Sequence, residues 1–366
     1  MDRQRFAPAL VLYEDKHVVQ DLRAAGVTVC VLPPLPDWFS DGTRGRFGRA
    51  LLRVRELLSV VPPRVRALIR VMRSERSDLV YLANGITANL DALIAAAWCR
   101  LPVISHEKGF RRIGPPERLM SRWVHSCIGM TDIVTEHVRS RGARPQRFMT
   151  VYDGINCDQF APGGGAAVRR EFGIPADATV IGIVGHLQRW KGQLLVAEAV
   201  AQARQRHPDL YCLIVGGVHR LGAEYAGELR ERIAALELDR HVILAGARRD
   251  VPACLDAMDI VIHSSIRAEP FGRVMIEAMA LGRPLIAPRE GGPLEIIVDG
   301  ETGILVAPRD ATALADAIMQ LVADPARRLA MGRAARARVA AVFDIGHHVR
   351  TMERIFDEVL AGSVPD

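Results

Sequence analysis

The 366-residue chain is poor in lysine, in aromatic residues and in long apolar runs. Lysine occurs only as Lys16, Lys108 and Lys191, whereas arginine occurs 45 times. No apolar run reaches the roughly 18 residues that cross a bilayer, and the opening stretch MDRQRFAPALVLYEDK has neither the apolar length nor the flanks of a signal peptide. Because both features are missing, we expect a cytoplasmic protein, with association at the inner face of the membrane as an alternative.

Several motifs are also missing, and each absence argues against a class of site. The six cysteines are scattered without a CxxC pair, which argues against a structural zinc site or a disulfide framework. No predicted strand is followed by G-x-G-x-x-G, so a nicotinamide dehydrogenase is disfavoured. No D-x-D motif stands at the end of a predicted strand, so we expect no metal site.

Short apolar runs alternate with helical patterns along the whole chain. The 5% aromatic content and the many Ala and Gly residues favour this alternation over a β-sandwich. Because parallel strands covered by helices on both faces appear as short apolar runs, we predict an α/β fold with parallel sheets. The predicted strands are Ala9–Tyr13, Val27–Leu32, Leu79–Leu82, Val103–Ser105, Cys127–Met130, Met149–Val151, Val180–Val184, Tyr211–Val215, Val242–Ala245, Ile260–His263, Pro284–Ala287 and Gly303–Val306.

A stretch rich in turn-forming residues, YDGINCDQFAPGGG, begins at Tyr152. A fresh series of strands and helices follows it, so we place a domain boundary there. Residues 1–152 are predicted to form an N-terminal Rossmann-like domain and residues 153–344 a C-terminal one, facing each other across a cleft. Helices are predicted between the strands, among them at residues 87–98, 193–206, 224–236 and 312–321.

The segment Arg44–Arg76 is strongly basic, with ten Arg against Glu56 and Glu75 and with apolar residues between them. Basic amphipathic helices bind anionic lipid surfaces, so the segment is a candidate membrane contact. Solvated helix faces in an arginine-rich protein explain the same pattern, and both interpretations stay open. We expect no nucleic-acid partner, because aromatic residues that stack on bases are scarce among these arginines.

The stretch IVIHSSIRAEPFGRVMIEAMALG, residues 260–282, carries the clearest chemical signal. A predicted strand leads into a polar loop with Glu269, and then into a helix that begins near Phe271 or Gly272 and contains Glu277. Gly272 lets a ligand approach the helix N-terminus, where free backbone N–H groups suit a pyrophosphate. A carboxylate inside the helix can accept hydrogen bonds from ribose hydroxyls, as acidic residues do in dinucleotide-binding folds.

The same stretch resembles the signature of the retaining glycosyltransferases of family 4, E-P-F-G-x-x-x-x-E-A-M-A. This chain has EPFG from Glu269 and EAMA from Glu277. The resemblance implies the GT-B fold, in which two Rossmann-like domains with parallel sheets face a central cleft. It also implies that Glu269 faces the donor sugar and that Glu277 holds the ribose. Phe271, Gly272 and Arg273 are then expected to bind the donor at the helix N-terminus.

VGHLQRWKG, residues 184–192, resembles the family's strand-end motif, in which an Arg and a Lys clamp the donor diphosphate. Lys191 matches the Lys, whereas His186 follows Gly185 where the family has its Arg. The resemblance therefore assigns Lys191 to the diphosphate and leaves two sources for the second contact, Arg189 or a hydrogen bond from His186. Positive charge at this place would stabilise the leaving nucleotide.

EGGPLE, residues 290–295, together with the later DGETG, resembles the family's G-G-x-x-E…D-G-x-T-G motif. We expect Gly291 and Gly292 to leave two backbone N–H groups free for the donor, near a helix that Pro293 can start. A tight turn between a strand and a helix requires glycine as well. We therefore expect both a structural and a binding role.

In the N-terminal half the resemblance is weaker but keeps the same order. LPVISHE, residues 101–107, resembles the family's strand that ends in a His beside the reacting sugar, which is His106 here. Open α/β sheets bind ligands at such strand ends. Residues 9–34 resemble the family's second strand, second helix and third strand, so about one βα unit, on the order of 30 residues, is expected to be missing. The family also suggests that a last helix in residues 345–366 packs back on the N-terminal domain.

These resemblances imply retaining, metal-independent transfer of a sugar from a nucleoside diphosphate sugar to a glycan or lipid-linked acceptor, in cell-surface polysaccharide or lipopolysaccharide biosynthesis. In the family's mechanism the acceptor attacks the face that the nucleotide leaves, and the departing phosphate takes the acceptor proton. Lys191, Glu269, His106 and Arg189 are the predicted catalytic residues, without a metal or cofactor. The alternative is a non-catalytic nucleotide-sugar-binding protein or partner subunit, which His186 and the expected missing unit favour.

Overall fold

The computed structural model describes residues 1–13, 18–32, 61–218 and 222–362. The chain divides into two compact units. Unit 1 comprises Met1–Met130, Val134–Val151 and Val349–Asp366, and unit 2 comprises Thr131–Ile133 and Tyr152–His348. The paired strands of every sheet are parallel.

Unit 1 contains a two-stranded and a four-stranded sheet. The two-stranded sheet pairs β1 (Ala9–Leu12) with β2 (Thr28–Val31). The four-stranded sheet consists, in spatial order, of β3 (Val80–Leu82), β4 (Val103–Glu107), β5 (Ser126–Gly129) and β6 (Arg147–Thr150). The helices between these strands are α1 (Val18–Ala24), α2 (Val61–Ser74), α3 (Leu90–Cys99), α4 (Pro115–Met120) and α5 (Asp132–Ser140).

Unit 2 contains one six-stranded sheet. Its strands along the chain are β7 (Thr179–Val184), β8 (Leu210–Val215), β9 (Val242–Gly246), β10 (Ile260–Ile262), β11 (Leu285–Pro288) and β12 (Gly303–Val306). The helices are α6 (Gly165–Glu171), α7 (Gln193–Arg204), α8 (Ala223–Ala235), α9 (Val251–Asp256), α10 (Arg273–Ala280), α11 (Pro293–Ile296), α12 (Ala311–Ala323) and α13 (Pro325–Val342).

The strand order of unit 2 reverses between β7 and β10. The spatial order is β12–β11–β10–β7–β8–β9, so the chain first adds β8 and β9 on one side of β7. It then returns to place β10 on the other side, and β11 and β12 follow outward. The connections therefore leave the neighbouring carboxyl ends of β7 and β10 in opposite directions. Open α/β sheets bind ligands at such a switch point.

The last helix, α14 (Ile345–Ala361), has one apolar face. This face packs against Ile104 of β4 and Ile128 of β5 within unit 1. Because an α-helix places residues three and four positions apart on the same side, the buried residues recur at that spacing. The buried residues of the face are Met352, Ile355, Phe356 and Val359.

The structure confirms the predicted α/β fold with parallel sheets. All twelve predicted strands are present, with ends shifted by at most two residues. Apolar runs of this length were readable because helices cover the strands, as in β4, where all five residues are buried. Within the described ranges, no helix is both long and apolar enough to cross a membrane. The expectation that a βα unit is missing before β1 stays a prediction.

Asp256, the last residue of α9, ties two segments of unit 2 together. Its Oδ2 accepts the backbone N–H groups of Gly163 and Gly165, each at 2.8 Å. Its Oδ1 lies 2.6 Å from the guanidinium of Arg283. Burial alone would raise the pKa of Asp256, but the two N–H groups and Arg283 outweigh burial and hold the pKa below its ordinary value.

Replacing Asp256 by Asn is expected to lower the free energy of unfolding by about 2 kcal/mol at neutral pH, because Arg283, whose side chain is only 24% exposed, loses its counter-charge. A lowered carboxyl pKa stabilises the fold above the unfolded pKa of about 3.9 and loses this effect as the pH falls. The difference between wild type and Asp256→Asn should therefore shrink below about pH 4. Chemical unfolding across pH measures this difference. The exposed Asp239→Asn serves as control, and a loss as large in that variant would contradict the assignment.

Candidate functional site

Three loops of unit 2 meet at the carboxyl ends of β7, β10 and β11. They comprise residues 185–192, 263–272 and 289–292. The N–H of Ile266 donates to the carbonyl oxygen of Trp190 at 2.8 Å, which joins the first two loops. The N–H of Gly292 donates to the carbonyl oxygen of Glu269 at 2.7 Å, which joins the last two. The switch point of the sheet is thus covered by one hydrogen-bonded group of loops.

One carboxylate oxygen, Oε2 of Glu269, lies close to three side chains. Lys191 Nζ is 2.7 Å from it and forms an ion pair in which the lysine is 21% and the glutamate 13% exposed. The hydroxyl of Ser265 donates to the same oxygen at 3.2 Å. Nε2 of His263 lies 3.7 Å away. The structure therefore brings together Lys191 and Glu269, which the sequence motifs had assigned separately.

A short turn places Lys191. Residues Arg189–Lys191 form a single 3₁₀ turn that ends at Gly192, whose φ is +75°. A Cβ at Gly192 would lie 2.1 Å from the carbonyl oxygen of Ser264, so only glycine allows this close approach. The hydroxyl of Ser264 donates to the Lys191 carbonyl at 2.9 Å. The lysine ammonium also lies 4.0 Å from the centre of the Trp190 ring, where a cation is favoured.

His263 is a residue of this group that the motifs did not indicate. It directly follows β10, and its backbone N–H donates to the Ile286 carbonyl at 2.9 Å. Burial lowers the pKa of His263 to about 4, against a rise caused by Glu269, while Lys191 lowers it further. The ring is therefore neutral at neutral pH. The signal that could have found it is a histidine at the carboxyl end of a central strand, the same argument that indicated His106.

The N-terminus of α10 is open beside this group. Gly272 precedes the helix with a φ of +97°, and no side chain caps it. A Cβ at Gly272 would lie 3.3 Å from the Glu269 side chain. Within the described residues, the N–H groups of Arg273 and Val274 form no hydrogen bond. Free N–H groups at a helix N-terminus favour an anion.

Glu277 lies one turn further along α10 and is largely buried. Burial raises the pKa of Glu277, and Arg273, whose guanidinium is 3.7 Å from the carboxylate, only partly opposes this rise. A carboxylate that has lost water gains from hydrogen-bond donors. Its placement is compatible with the predicted ribose contact.

The two glycines after β11 hold the backbone of Glu269. Gly291 has a φ of +73°, and a Cβ there would lie 2.6 Å from the Glu269 carbonyl oxygen. Gly291 and Glu269 form an isolated parallel bridge. Because the Gly292 N–H donates to Glu269, the prediction that both glycines leave free N–H groups is wrong for Gly292. The Gly292 N–H instead forms the hydrogen bond that holds its loop against the loop of Glu269.

Phe271 is buried, and its ring belongs to the core of unit 2. It stacks on Tyr152 with the ring centres 6.4 Å apart and meets the edge of Phe343 at 5.9 Å. The prediction that Phe271 binds the donor is therefore wrong for its side chain. An aromatic residue between a glycine and a proline in a loop follows the family pattern, but here its ring anchors the loop.

Arg189 lies in the same turn as Lys191, but its side chain contacts α8. Its guanidinium forms two hydrogen bonds with the carboxylate of Glu228 on α8 and lies over the ring of Tyr225. The arginine side chain is well exposed. In the structure Arg189 contacts Glu228 and Tyr225 of α8, and its predicted diphosphate contact stays a prediction.

Gly185 and His186 lie at the carboxyl end of β7. The N–H of Gly185 donates to the Val215 carbonyl at 2.9 Å, which extends the pairing of β7 with β8. His186 is exposed, and its carbonyl oxygen accepts from Gln193 Nε2 at 3.0 Å. The structure thus places both residues at the rim of the loops, and their donor contacts stay predictions.

His106 belongs to unit 1, where it is buried near the carboxyl end of β4. Its Nδ1 lies 2.5 Å from the hydroxyl of Tyr81 on β3. The following residue, Glu107, is buried as well and accepts from the Ile86 N–H at 2.9 Å and from the Ser105 hydroxyl at 2.6 Å. These contacts fix the strand end, and the predicted sugar contact of His106 stays a prediction.

Of the basic segment Arg44–Arg76, residues 44–60 lie outside the described residues. Arg64 of α2 is 3.2 Å from Asp91 and stacks on the ring of Tyr13 at 3.8 Å. Burial and Asp91 raise the pKa of Tyr13. Arg64 is thus part of the packing of unit 1. Arg66, Arg70 and Arg73 lie on the same helix.

Residues 166–338 match the family model of glycosyl transferases group 1. The D-inositol 3-phosphate glycosyltransferase of Corynebacterium kroppenstedtii is 36% identical over 225 residues, which are 60% of this chain and 49% of that protein. The protein of the same description from Corynebacterium urealyticum is 38% identical over 192 residues, 50% of this chain and 45% of that protein. The chain spans about half the length of the curated relatives it matches.

Solved structures of similar fold cover nearly the whole chain. Anabaena HepE in complex with UDP and glucose superposes with a TM-score of 0.79 at 24% identity, over 95% of this chain and 91% of that one. A glycosyltransferase from Rickettsia africae gives a TM-score of 0.83 at 21% identity, over 98% of this chain and 91% of that one. Together with the two parallel α/β units, this similarity shows the GT-B fold that the motifs implied.

Gly192→Ala is expected to destabilise the protein more than Gly173→Ala. Both glycines have positive φ, +75° and +64°, but a Cβ at Gly173 meets open space. The control should lose only about 1 kcal/mol from backbone strain, and Gly192→Ala roughly 2 kcal/mol more from the contact with Ser264. Denaturant unfolding of both variants measures the difference. Equal losses would show that the turn at Lys191 tolerates a side chain.

Proposed function

We propose that this protein transfers a sugar from a nucleoside diphosphate sugar to an acceptor hydroxyl group. The observation that carries the proposal is the Lys191–Glu269 pair beside the open N-terminus of α10. A largely buried cation and free N–H groups fit a diphosphate, and a carboxylate beside them fits sugar hydroxyls. The match of residues 166–338 to glycosyl transferases group 1 supports this proposal.

In this proposal, each group of the site has one task. Lys191 and the N–H groups at the start of α10 hold the diphosphate and stabilise the charge that develops as it leaves. Glu277 accepts hydrogen bonds from the ribose, and Glu269 orients the donor sugar. His106 contacts the sugar hydroxyls, an assignment that rests on the family resemblance. The nucleotide sugar is a substrate, and no cofactor is required.

We propose that the reaction retains the configuration of the sugar. The acceptor oxygen forms its bond to the anomeric carbon on the face where the bond to the diphosphate breaks. The proton of the acceptor hydroxyl passes to a leaving phosphate oxygen. Because Lys191 and the helix N-terminus supply positive charge, we propose that transfer needs no metal ion. Undiminished turnover in the presence of EDTA would support this point, and its loss would contradict it.

The relatives guide the choice of substrates. The structure of Anabaena HepE contains UDP and glucose, so we propose UDP-sugars as the first donors to test, followed by GDP-sugars. The curated relatives are described as D-inositol 3-phosphate glycosyltransferases, which makes an inositol phosphate one acceptor to test. A glycan or a lipid-linked acceptor of polysaccharide or lipopolysaccharide biosynthesis is the other acceptor class.

We further propose that unit 1 binds an anionic membrane surface at the inner face of the membrane. Three large apolar side chains are exposed on neighbouring elements, Trp98 by 71%, Leu119 by 63% and Trp123 by 48%. They lie shortly before β4 and β5, and the amino ends of parallel strands meet at one edge of a sheet. Trp residues suit the interface between water and lipid.

Exposed arginines lie at the same edge. Arg100, Arg118 and Arg122 are neighbours of these apolar residues in the chain, and Arg73 and Arg76 precede β3. In the part of the chain that the structure describes, none of these five forms an ion pair. Elsewhere in unit 1, exposed arginines such as Arg5 and Arg139 have acidic partners. Unpaired arginines beside tryptophans fit anionic lipid headgroups.

Vesicle sedimentation tests the membrane contact. The wild-type protein should bind vesicles that contain phosphatidylglycerol and not pure phosphatidylcholine. Reversing the charge of Arg118 and Arg122 to Glu should lower the affinity at least about tenfold, since each basic residue near the surface contributes about 1 kcal/mol. Leu329→Ala, at an equally exposed apolar residue of unit 2, is the control. Unchanged binding in the double variant would refute the proposed surface.

Turnover tests the proposed function itself. Lys191→Ala and Glu269→Ala should each lower sugar transfer by about a hundredfold or more, while far-ultraviolet circular dichroism shows that the fold is kept. Arg189→Ala should retain turnover within about threefold, because an exposed ion pair such as Arg189–Glu228 contributes little. The assay measures release of the nucleoside diphosphate from the donor in the presence of acceptor.

Near-normal turnover in both Lys191→Ala and Glu269→Ala would remove the basis of the proposal. A wild-type protein that binds a nucleoside diphosphate without turnover would favour the alternative, a binding protein or partner subunit. Arg189→Ala serves as the matched control, because Arg189 lies in the same turn as Lys191.

A further inference from the structure

We propose that His263 is a positioning residue of the donor site. When Lys191 moves from Glu269 to the bound diphosphate, Nε2 of His263 donates a hydrogen bond to Glu269 in its place. The inference rests on the proposed function, since it requires a diphosphate donor. It concerns a residue to which neither the motifs nor the family resemblance assigned a role.

Glu269 and the donor diphosphate compete for the ammonium group of Lys191. In the structure its ammonium is 2.7 Å from Oε2 of Glu269, and both side chains are largely buried. A lysine that neutralises a carboxylate has less charge to offer to a phosphate, so binding of a diphosphate pulls Lys191 away from Glu269. A buried carboxylate that loses its cation is costly unless other donors replace it. The site therefore needs a second donor for Glu269.

The contacts of Glu269 identify that donor. The Ser265 hydroxyl already donates to Oε2, at 3.2 Å. Nε2 of His263 lies 3.7 Å from the same oxygen, less than about 1 Å beyond hydrogen-bond distance. His263 is only 8% exposed, and within the described residues its Nε2 has no hydrogen-bond partner. A buried nitrogen without a hydrogen-bond partner is unfavourable. We therefore infer a second state of the site, in which Nε2 of His263 forms a hydrogen bond.

The geometry around the ring is consistent with this hydrogen bond. The backbone of His263 is held by its hydrogen bond to Ile286, and a Cβ at Gly272 would lie 3.7 Å from the ring carbon Cε1. The ring thus lies beside the helix N-terminus, with Nε2 3.7 Å from the oxygen that Lys191 contacts. A small shift of the Glu269 side chain closes the remaining distance.

The charges around His263 are consistent with this exchange. Burial keeps the ring neutral, with the pKa of His263 lowered to about 4, and a neutral ring with its hydrogen on Nε2 can donate to a carboxylate. Lys191 lowers the pKa of His263 and Glu269 raises it. When Lys191 moves away, its repulsion is removed while burial and the attraction of Glu269 stay, so donation from His263 to Glu269 is favoured.

Titration calorimetry of the full chain with UDP tests the inference by a double-mutant cycle. His263→Phe keeps a ring but removes the donor, and should weaken UDP binding about tenfold, the effect of losing one hydrogen bond to a charged group. His263→Gln keeps an N–H donor at similar reach and should recover the affinity to within about threefold. Glu269→Gln should bind UDP more tightly than the wild type, because Lys191 is released. In the Glu269→Gln background, His263→Phe should have no further effect.

Two results would overturn the inference while leaving the proposed function in place. One is equal UDP affinity in wild type and His263→Phe, and the other is the same loss in the presence and absence of Glu269→Gln. If His263→Phe does not fold, the comparison is made between His263→Gln and His263→Asn, whose shorter amide does not reach Glu269. Wild-type protein that binds neither UDP nor GDP would refute the proposed function, and this inference with it.

Discussion

The ion pair between Lys191 and Glu269 is the interaction on which the rest of the proposed donor site depends. Opposite charges this deep in the protein are tolerated only because they lie 2.7 Å apart and because Ser265 donates to the same oxygen. Three glycines lie around this geometry, and two of them, Gly192 and Gly291, closely approach the backbone of another loop. Gly192, Gly272 and Gly291 all have positive φ, and a Cβ at any of them would meet a neighbouring loop or side chain closer than 3 Å. The glycines thus allow the backbone conformation that positions the charged side chains of Lys191 and Glu269.

Burial acts on the ionisable groups of unit 2 in different ways. It lowers the pKa of His263 and raises that of Glu277, so both have a tendency towards the neutral form. Asp256 is buried as well, but two backbone N–H groups and Arg283 hold its pKa low. The difference lies in the partners, because a buried charge persists only where donors or counter-ions replace water. Asp256 has its partners within the fold, whereas burial outweighs the opposing charge of Arg273 at Glu277 and of Glu269 at His263.

The sequence allowed the strands to be located because each one is a short apolar run covered by helices, and because turn-forming residues separate the runs. It also indicated Glu277 and Lys191, since an acid in an apolar helix segment and a rare lysine stand out locally, whereas Glu269 was indicated by the family signature. Phe271 and Gly292 were assigned wrongly for one physical reason. A motif shows that a residue lies in a loop, but contacts with other segments decide whether its ring or its N–H is available to a ligand. Here the Phe271 ring stacks on Tyr152, and the Gly292 N–H donates to Glu269.

The amino-acid sequence by itself therefore determined the alternation of strands and helices, the parallel sheets and the residue types available for a diphosphate and a sugar. Only the tertiary structure decided which of these residues meet. In the structure Lys191 pairs with Glu269, Arg189 pairs with Glu228, and His263 lies beside Glu269. The physical reason is that strand periodicity is a local property of the chain. Contacts across the switch point join residues some 80 positions apart, such as Lys191 and Glu269, and depend on the strand order that brings β7 and β10 together.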